Sequence, residues 1–282
     1  MRYITIEEAQ PGMCLAYDLY DSMGRTMIGR GCELTASYID KLSDYGFSGV
    51  YIDDELSKEI QIEASISEKL RTDGINCIKK SDIDHCAEIA AAIVDEILPR
   101  GEVSLDMLDL RSYDDYTYAH SVNVAVLCCV IGMGMQMNER DLNYLVTAAL
   151  LHDLGKLSIP PEILNKPGRL TPEEYQIMKK HAEYSYKLLS NRWDISAHIK
   201  QTVWLHHENY DGSGYPSNLS GDSIPLGARI LRVCDVYAAL ISDRPYRKAF
   251  DVSSVIELMI DEIKNFDMEV FLAFQRVVHD NK

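Results

Sequence analysis

The 282-residue chain lacks several features that would place it in other protein classes. It contains no apolar run long enough to cross a membrane, and residues 1–8 carry no hydrophobic core of a signal peptide. Its seven cysteines are scattered without a CxxC pair, and the adjacent Cys128 and Cys129 lie in an apolar run, as buried thiols do. These absences argue against a disulfide-stabilised scaffold. We therefore expect a cytoplasmic protein with no membrane-spanning segment.

Positive charge is also scarce. The chain has 28 Lys and Arg against 44 Asp and Glu, which gives a formal net charge of −16. Such a surface repels duplex nucleic acid, so we expect no broad phosphate-binding face. A small phosphorylated ligand needs only a local pocket of Lys and Arg, and such a ligand is not excluded.

The first 60 residues have a different pattern from the rest. Glycines separate short strand-like segments, and residues 35–45 are predicted to form a helix with Thr35 as its N-cap. This pattern predicts a small α+β module over residues 1–60. The module contains no histidine, so we expect no metal ligand from it. We favour a regulatory or docking role, in which it binds a signalling protein.

Helical periodicity dominates the remaining residues. Residues 61–100 are predicted to be a helical linker whose clearest helix, 87–98, is ended by Pro99-Arg100-Gly101. The apolar face of that helix could pair two copies of the chain as a homodimer. Residues 101–282 are predicted to form an almost wholly helical bundle. The fold class is therefore mainly α, with a small α+β module at the N-terminus.

Five of the eight histidines lie on predicted helices or at helix ends, two of them close to other metal-ligand types. A lone histidine on a helix is more often structural than a ligand. Recurrence on several helices, together with carboxylates, instead predicts a metal site inside the bundle. The remaining three histidines, His85, His198 and His279, have the sequence context of surface residues. The five candidates are His120, His152, His181, His206 and His207.

The adjacent pair His152-Asp153 is the most specific part of this set. Neighbouring residues on a helix diverge by about 100°. Such a pair can therefore bind one metal only near a helix end, or it can bind two neighbouring metals. A carboxylate can bridge two metals, whereas an imidazole cannot. The alternative is that Asp153 is a solvated residue at the end of its helix.

Three basic residues are candidates for contacts with phosphate. Lys156 follows the His152-Asp153 pair, where it could assist a leaving oxygen or complement the dipole of the helix. Arg244 and Arg247 flank a proline turn, which suits bidentate phosphate binding, although an exposed basic turn has the same pattern.

A glycine-rich loop follows the double histidine and ends in Gly214-Tyr215-Pro216. Glycine allows backbone N–H groups to approach a ligand closely. Tyr215 could stack on a base or donate its hydroxyl. The alternative is a rigid turn with a packed tyrosine.

The combination of these motifs, in this order, resembles the HD-GYP family of the HD superfamily of metal-dependent phosphohydrolases. The resemblance covers residues 101–282, whereas an HD pair alone would be weak evidence. It is carried by His120-Ser121, His152-Asp153-Leu154-Gly155-Lys156, His181, His206-His207-Glu208, Gly214-Tyr215-Pro216 and Asp235.

The resemblance implies a helical catalytic domain that hydrolyses cyclic di-GMP to pGpG, and often onward to GMP. Asp153 would be the bridging carboxylate, and two metals would share it and a hydroxide. Asp153 and Lys156 would be the catalytic residues. Substrate contacts would come from Lys156, Gly214, Tyr215, Pro216, Arg244 and Arg247. The metal ligands would be His120, His152, Asp153, His181, His206, His207 and Asp235.

One position bears on the number of metals. Family members with three metals have a glutamate four residues before the first histidine, where this chain has Tyr116. Asp115 is one residue away and would point elsewhere on a helix. We therefore predict two divalent metals, with Fe or Mn favoured and Zn as a further option. Other cyclic dinucleotides, such as cyclic GMP-AMP, and a non-catalytic receptor remain as alternatives to cyclic di-GMP hydrolysis.

Overall fold

The computed structural model describes residues 2–20, 26–45, 47, 49–54, 65–101, 116–242 and 250–279. These residues fall into two compact units, which we describe separately. Within the described residues, no helix is both long enough and apolar enough to span a bilayer.

The N-terminal unit is a small α+β fold, as the sequence predicts. Strand β5 (Gly49–Asp53) lies between β1 (Arg2–Thr5) and β2 (Cys14–Leu15) in an antiparallel sheet, with Arg2 opposite Ile52 and Cys14 opposite Asp53. Leu42 of the helix is fully buried beside Val50 of the central strand, so the helix covers the sheet. The elements are β1 (Arg2–Thr5), β2 (Cys14–Leu15), β3 (Leu19–Tyr20), β4 (Thr26–Ile28), α1 (Ala36–Asp44) and β5 (Gly49–Asp53).

The larger unit is a helical bundle, which confirms the predicted fold class. α4 is the central helix, and its residues 122–131 are almost completely buried because the helix is apolar on every face. The helices are α2 (Glu68–Lys79), α3 (Ile83–Ile97), α4 (Tyr116–Gly134), α5 (Glu139–Leu151), α6 (Pro161–Leu164), α7 (Pro172–Ser190), α8 (Ala197–Leu205), α9 (Leu226–Ile241), α10 (Val252–Asp261) and α11 (Met268–His279).

Helix ends follow local chemistry. Asn138 caps α5 by accepting a hydrogen bond from the N–H of Asp141. The sequence Thr171-Pro172-Glu173-Glu174 predicts a capping box with proline at the first helical position. Thr171 and Glu174 form this capping box at the start of α7. These caps fix where α5 and α7 begin, and both helices lead to candidate metal ligands.

The stretch 61–100 differs from the linker that the sequence predicts. Its described part forms α2 and α3, whose apolar side chains lie in the same core as α4 and α5. Ile93, Val94 and Ile97 are fully buried there. The apolar face of 87–98 is thus covered by its own chain and is not free to pair two copies, so a homodimer stays a prediction. The face is covered because an amphipathic helix packs against whichever apolar surface lies nearest.

Candidate metal centre

The bundle brings all seven predicted metal ligands to one place. They come from α4, from the ends of α5 and α8, and from the middle of α7 and α9. Two groups of three can each hold an ion, because the ligand atoms within each group lie within 4.8 Å of one another. We call His120, His152 and Asp153 the mixed group, and His181, His206 and His207 the imidazole group.

Asp153, a member of the mixed group, also faces the imidazole group. Its Oδ2 is 3.3 Å from His152 Nε2, and its Oδ1 is 3.5 Å from His181 Nε2. One oxygen therefore faces each group. This is the placement that a bridging carboxylate needs.

Asp235 makes a second connection from α9. Its Oδ1 is 2.9 Å from His120 Nε2, and its Oδ2 is 3.9 Å from His207 Nδ1. Both carboxylates of the site thus contact one imidazole of each group. The carboxylates of Asp153 and Asp235 therefore lie along the boundary between the two candidate ion positions.

Three of the imidazoles are oriented by the backbone of their own helices. A carbonyl oxygen can only accept a hydrogen bond, so a close carbonyl assigns the proton to Nδ1 and leaves the Nε2 lone pair for a metal. The Nδ1···O distances are 2.7 Å from His152 to Ala149, 2.8 Å from His181 to Met178 and 2.6 Å from His206 to Val203.

These residues fit divalent metal ions. His152 Nε2 is fully buried and has no hydrogen-bond partner of good geometry among the described residues. A buried polar atom in that position is costly unless it binds something. Imidazole and carboxylate donors together suit Fe, Mn or Zn.

Burial keeps the imidazole group neutral. It lowers the pKa of His206 to about 3, and the neighbouring imidazoles lower it further. Burial also lowers the pKa of His181 and holds that of His207 well below its ordinary value. Neutral imidazole is the form that binds metal, so this group needs to lose no proton at neutral pH.

The mixed group carries the opposite electrostatics. Burial lowers the pKa of His152, but the charge and hydrogen bond of Asp153 together with the charge of Asp235 raise that pKa overall. Burial likewise raises the pKa of Asp153, but His152 and Lys156 hold it well below its usual range. Lys156 Nζ lies 2.5 Å from Asp153 Oδ2. Lys156 therefore contacts a candidate metal ligand directly, rather than only the end of α5.

Gly155 allows the turn after Asp153 to touch α7. A Cβ at Gly155 would lie 2.0 Å from the carbonyl oxygen of His181 and 2.5 Å from the backbone nitrogen of Ser185. The Oγ of Ser185 accepts a hydrogen bond from Gly155 N–H and donates one to the His152 carbonyl, both at 2.7 Å. The sequence interpretation overlooked Ser185. Its only signal is a small polar residue one helical turn after His181.

The loop 214–216 packs against the double histidine. A Cβ at Gly214 would lie 2.2 Å from the backbone nitrogen of Asn209, so only glycine fits. The Tyr215 N–H donates to the His207 carbonyl at 3.1 Å, and the two rings stack with centroids 4.7 Å apart. Tyr215 therefore buttresses a candidate ligand, and Pro216 beyond it is exposed.

Glu208 holds the rest of this loop. It is buried, and its carboxylate accepts hydrogen bonds from the backbone N–H of Ser217 at 2.5 Å and of Leu219 at 3.1 Å. The residue after the double histidine is thus a loop anchor. Its position next to two ligands was visible in the sequence, but its role was not.

Some predicted residues cannot be placed. Arg244 and Arg247 lie outside the described residues, as does Asp115. Tyr116 begins α4, but its side chain is also outside the described set. The predictions that rest on them therefore stay predictions. His85 and His198 have exposed positions, as expected.

With this geometry in view, comparison with known proteins identifies the family. Residues 103–270 match the HD domain family. The chain belongs to the HD domain family. The resemblance drawn from the HD and GYP motifs is thus confirmed. The match covers every one of the seven candidate ligands.

Two curated proteins are similar to the chain over its helical region. The chain is 36% identical over 197 residues, 70% of its length, to cyclic di-GMP phosphodiesterase PA4108 of Pseudomonas aeruginosa. It is 34% identical over 165 residues, 58% of its length, to 3'3'-cGAMP-specific phosphodiesterase 3 of Vibrio cholerae. The matches span 48% and 36% of those proteins, so the chain corresponds to half or less of each relative.

A solved structure supports the fold. Bd1817, an HDG"Y"P protein from Bdellovibrio bacteriovorus, superposes with a TM-score of 0.62 and covers 98% of both chains at 16% sequence identity. At that identity the likeness concerns the fold alone. It extends the comparison over the N-terminal unit, which the family match does not reach.

Proposed function

We propose that this chain is a metal-dependent phosphodiesterase that hydrolyses cyclic di-GMP to pGpG, with further hydrolysis to GMP as a second step. The observation that carries the proposal is the pair of three-residue ligand groups with a carboxylate facing both. A protein that only binds a nucleotide has no need for such a centre. The relatives named as phosphodiesterases support the same reaction class.

The ligand set would hold two divalent ions, one in each group, with Asp153 and Asp235 between them. We favour Fe or Mn, because imidazole and carboxylate ligands suit both, and Zn is the further option. When bound, the ions supply Lewis acidity, neutralise charge on the phosphoryl oxygens and make water a nucleophile at neutral pH. The tyrosine at 116 supports two ions rather than three.

The open side of the centre indicates how substrate would enter. The side chains of His120, His152 and Asp153 are at most 4% exposed, whereas those of His207 and Lys156 are 17% and 26% exposed. A phosphodiester would therefore approach past His207 and Lys156. Lys156 would supply positive charge beside the phosphoryl oxygens as the P–O3′ bond breaks.

The remaining substrate contacts are assigned by motif. Arg244 and Arg247 follow α9, which carries Asp235, and would bind the phosphates in bidentate fashion. Gly214, Tyr215 and Pro216 would border the entrance, because Tyr215 stacks on His207. Positive charge confined to this entrance would allow an acidic protein to bind an anionic dinucleotide.

The wider context is also proposed. Seven free cysteines, five of them buried, suit the reducing cytoplasm. The N-terminal unit would bind a signalling protein and pass its state to the catalytic unit.

The test is incubation of the purified chain with cyclic di-GMP and Mn(II) or Fe(II), with chromatography of the products and a metal count on the same sample. We expect pGpG or GMP and about two metals per chain. A chelator-treated sample is the control. Turnover that persists without metal would contradict the mechanism.

A second substrate is favoured by one specific relative, the cyclic GMP-AMP phosphodiesterase of Vibrio cholerae. The same incubation with cyclic GMP-AMP gives a ratio of kcat/KM values that assigns the preferred dinucleotide. Equilibrium dialysis of cyclic di-GMP, run beside the product assay, tests the receptor alternative. Tight binding without product from a metal-loaded chain would replace the enzyme by a receptor.

A further inference from the structure

Two polar backbone groups are buried where α5 ends. The carbonyl of His152 and the N–H of Gly155 lie beyond the last residue of that helix, so the helix does not supply their partners. Ser185 Oγ satisfies both, at 2.7 Å each. Ser185 is itself fully buried. A single hydroxyl therefore joins the turn that carries Asp153 to helix α7.

Gly155 packs directly against α7, and the gap between them leaves no room for a side chain. Gly155 lies so close to α7 that any side chain there would overlap the backbone of His181 and Ser185. His181 and Ser185 are four residues apart and face the same side of α7. The Ser185 hydroxyl therefore holds the turn after α5 against the part of α7 from which the His181 side chain extends.

This contact sets the spacing between the two ligand groups. Asp153 Oδ1 and His181 Nε2 are 3.5 Å apart, and the turn that carries one is fixed to the helix that carries the other. We propose that Ser185 is a positioning residue of the metal centre, which keeps the mixed group and the imidazole group at the separation that two ions need. The inference rests on the proposed metal-dependent function.

The test compares Ser185→Ala with Ser190→Ala in the 282-residue chain. Ser190 lies on the same helix, and its Oγ donates only to the carbonyl of Lys187 near the surface. Each chelator-treated protein is titrated with Co(II), and the visible absorption of the bound cobalt reports both affinity and ligand geometry. We expect Ser185→Ala to bind cobalt roughly tenfold more weakly, with altered absorption bands, because residues that orient ligands have effects of this size.

The matched control defines the opposite result. Ser190→Ala should match the unchanged chain in affinity and spectrum. If Ser185→Ala also matches it, even with a lower Tm, then Ser185 has a structural role only and the inference is overturned. If the unchanged chain binds no cobalt, the proposed metal-dependent function is overturned as well, which separates the two failures.

A second variant covers loss of folding. Ser185→Cys replaces the hydroxyl by a somewhat larger thiol, which fills the site but makes only weak hydrogen bonds. If Ser185→Ala does not fold, the Cys variant is titrated in its place. Weaker cobalt binding with altered bands supports the positioning role, and unchanged binding overturns it.

Discussion

The mixed group and the imidazole group lie side by side but differ in charge. In the mixed group, the charge and hydrogen bond of Asp153 and the charge of Asp235 raise the pKa of His152, which favours its protonated form. In the imidazole group, burial keeps the rings neutral. Metal binding to the mixed group therefore competes with a proton on His152, whereas the lowered pKa values of the imidazole group oppose protonation. Two adjacent sites, one with a carboxylate and one with imidazoles alone, are thus expected to load differently.

The largest effect is expected from removing the core of the mixed group. Replacing both His152 and Asp153 with Ala should abolish metal loading and hydrolysis while the chain stays folded. Loss of Lewis-acid stabilisation of several kcal/mol corresponds to a rate at least roughly a thousandfold lower. The measurement is product formation together with metal content and far-UV circular dichroism. Turnover near the original rate in the folded double variant would show that the mixed group is not the reaction centre.

A variant of the imidazole group tests whether the two groups are separable. His206→Ala should lower the metal content from about two ions to about one, because the mixed group retains its own ligands. His198→Ala is the matched control on the same helix, since His198 is exposed and stacks on Tyr144. Loss of both ions from His206→Ala would show that the groups bind metal only as one unit.

A variant of Lys156 tests whether this residue contributes to the reaction beyond its contact with Asp153. Lys156→Gln should lower kcat/KM roughly a hundredfold, as removal of one stabilising donor does, with metal content unchanged. Lys187→Gln serves as control, because Lys187 is exposed and pairs only with Glu183 among the described residues. A Lys156→Gln variant that loses metal instead would assign Lys156 to ordering Asp153 rather than to the substrate.

The smallest effect is on acid stability of the metal-free chain. The folded pKa of His206, about 3, lies below the ordinary 6.5, so between these values the unfolded chain binds a proton that the folded chain does not. Stability from this residue is complete above pH 6.5 and decreases as the pH falls. Lowering the pH from 7.5 to 5.5 should therefore reduce the free energy of unfolding by about 1.4 kcal/mol through His206 alone.

Urea unfolding in a chelator at the two pH values measures this loss. His181 and His207 act in the same direction, because their pKa values are also lowered, whereas His152 acts in the opposite direction. His206→Gln should lose less stability on acidification than the unchanged chain. Equal losses in the two proteins would show that His206 is already protonated in the fold.

Sequence reasoning succeeded where chemistry is local. The capping box at Thr171 and the cap at Thr35 were visible as short patterns, and the structure confirms both. The candidate ligands were found because their residue types recur next to one another. The structure brings these residues together, although their metal binding remains a prediction.

Long-range packing was less accessible. Residues 65–100 have the polar and apolar spacing of amphipathic helices, and the sequence alone does not say which surface their apolar face covers. Strand β1 was not predicted, because it exists through pairing with β5, more than 40 residues later in the chain. Ser185 was overlooked for the same reason. The role of Ser185 depends on the His152 carbonyl and the Gly155 N–H, which come from another segment of the chain.

The backbone carbonyl three residues before each of His152, His181 and His206 affects which neighbouring substitutions these ligands tolerate during evolution. In many metal sites a separate side chain orients the ligand, and a mutation of that partner damages the centre. Here the partner is the peptide backbone, which every amino acid carries. Substitutions at Ala149, Met178 or Val203 that preserve the helix would therefore leave the donor nitrogen in place. A lineage could then exchange these three side chains, within the space that their packing leaves, while the donor nitrogens keep their orientation.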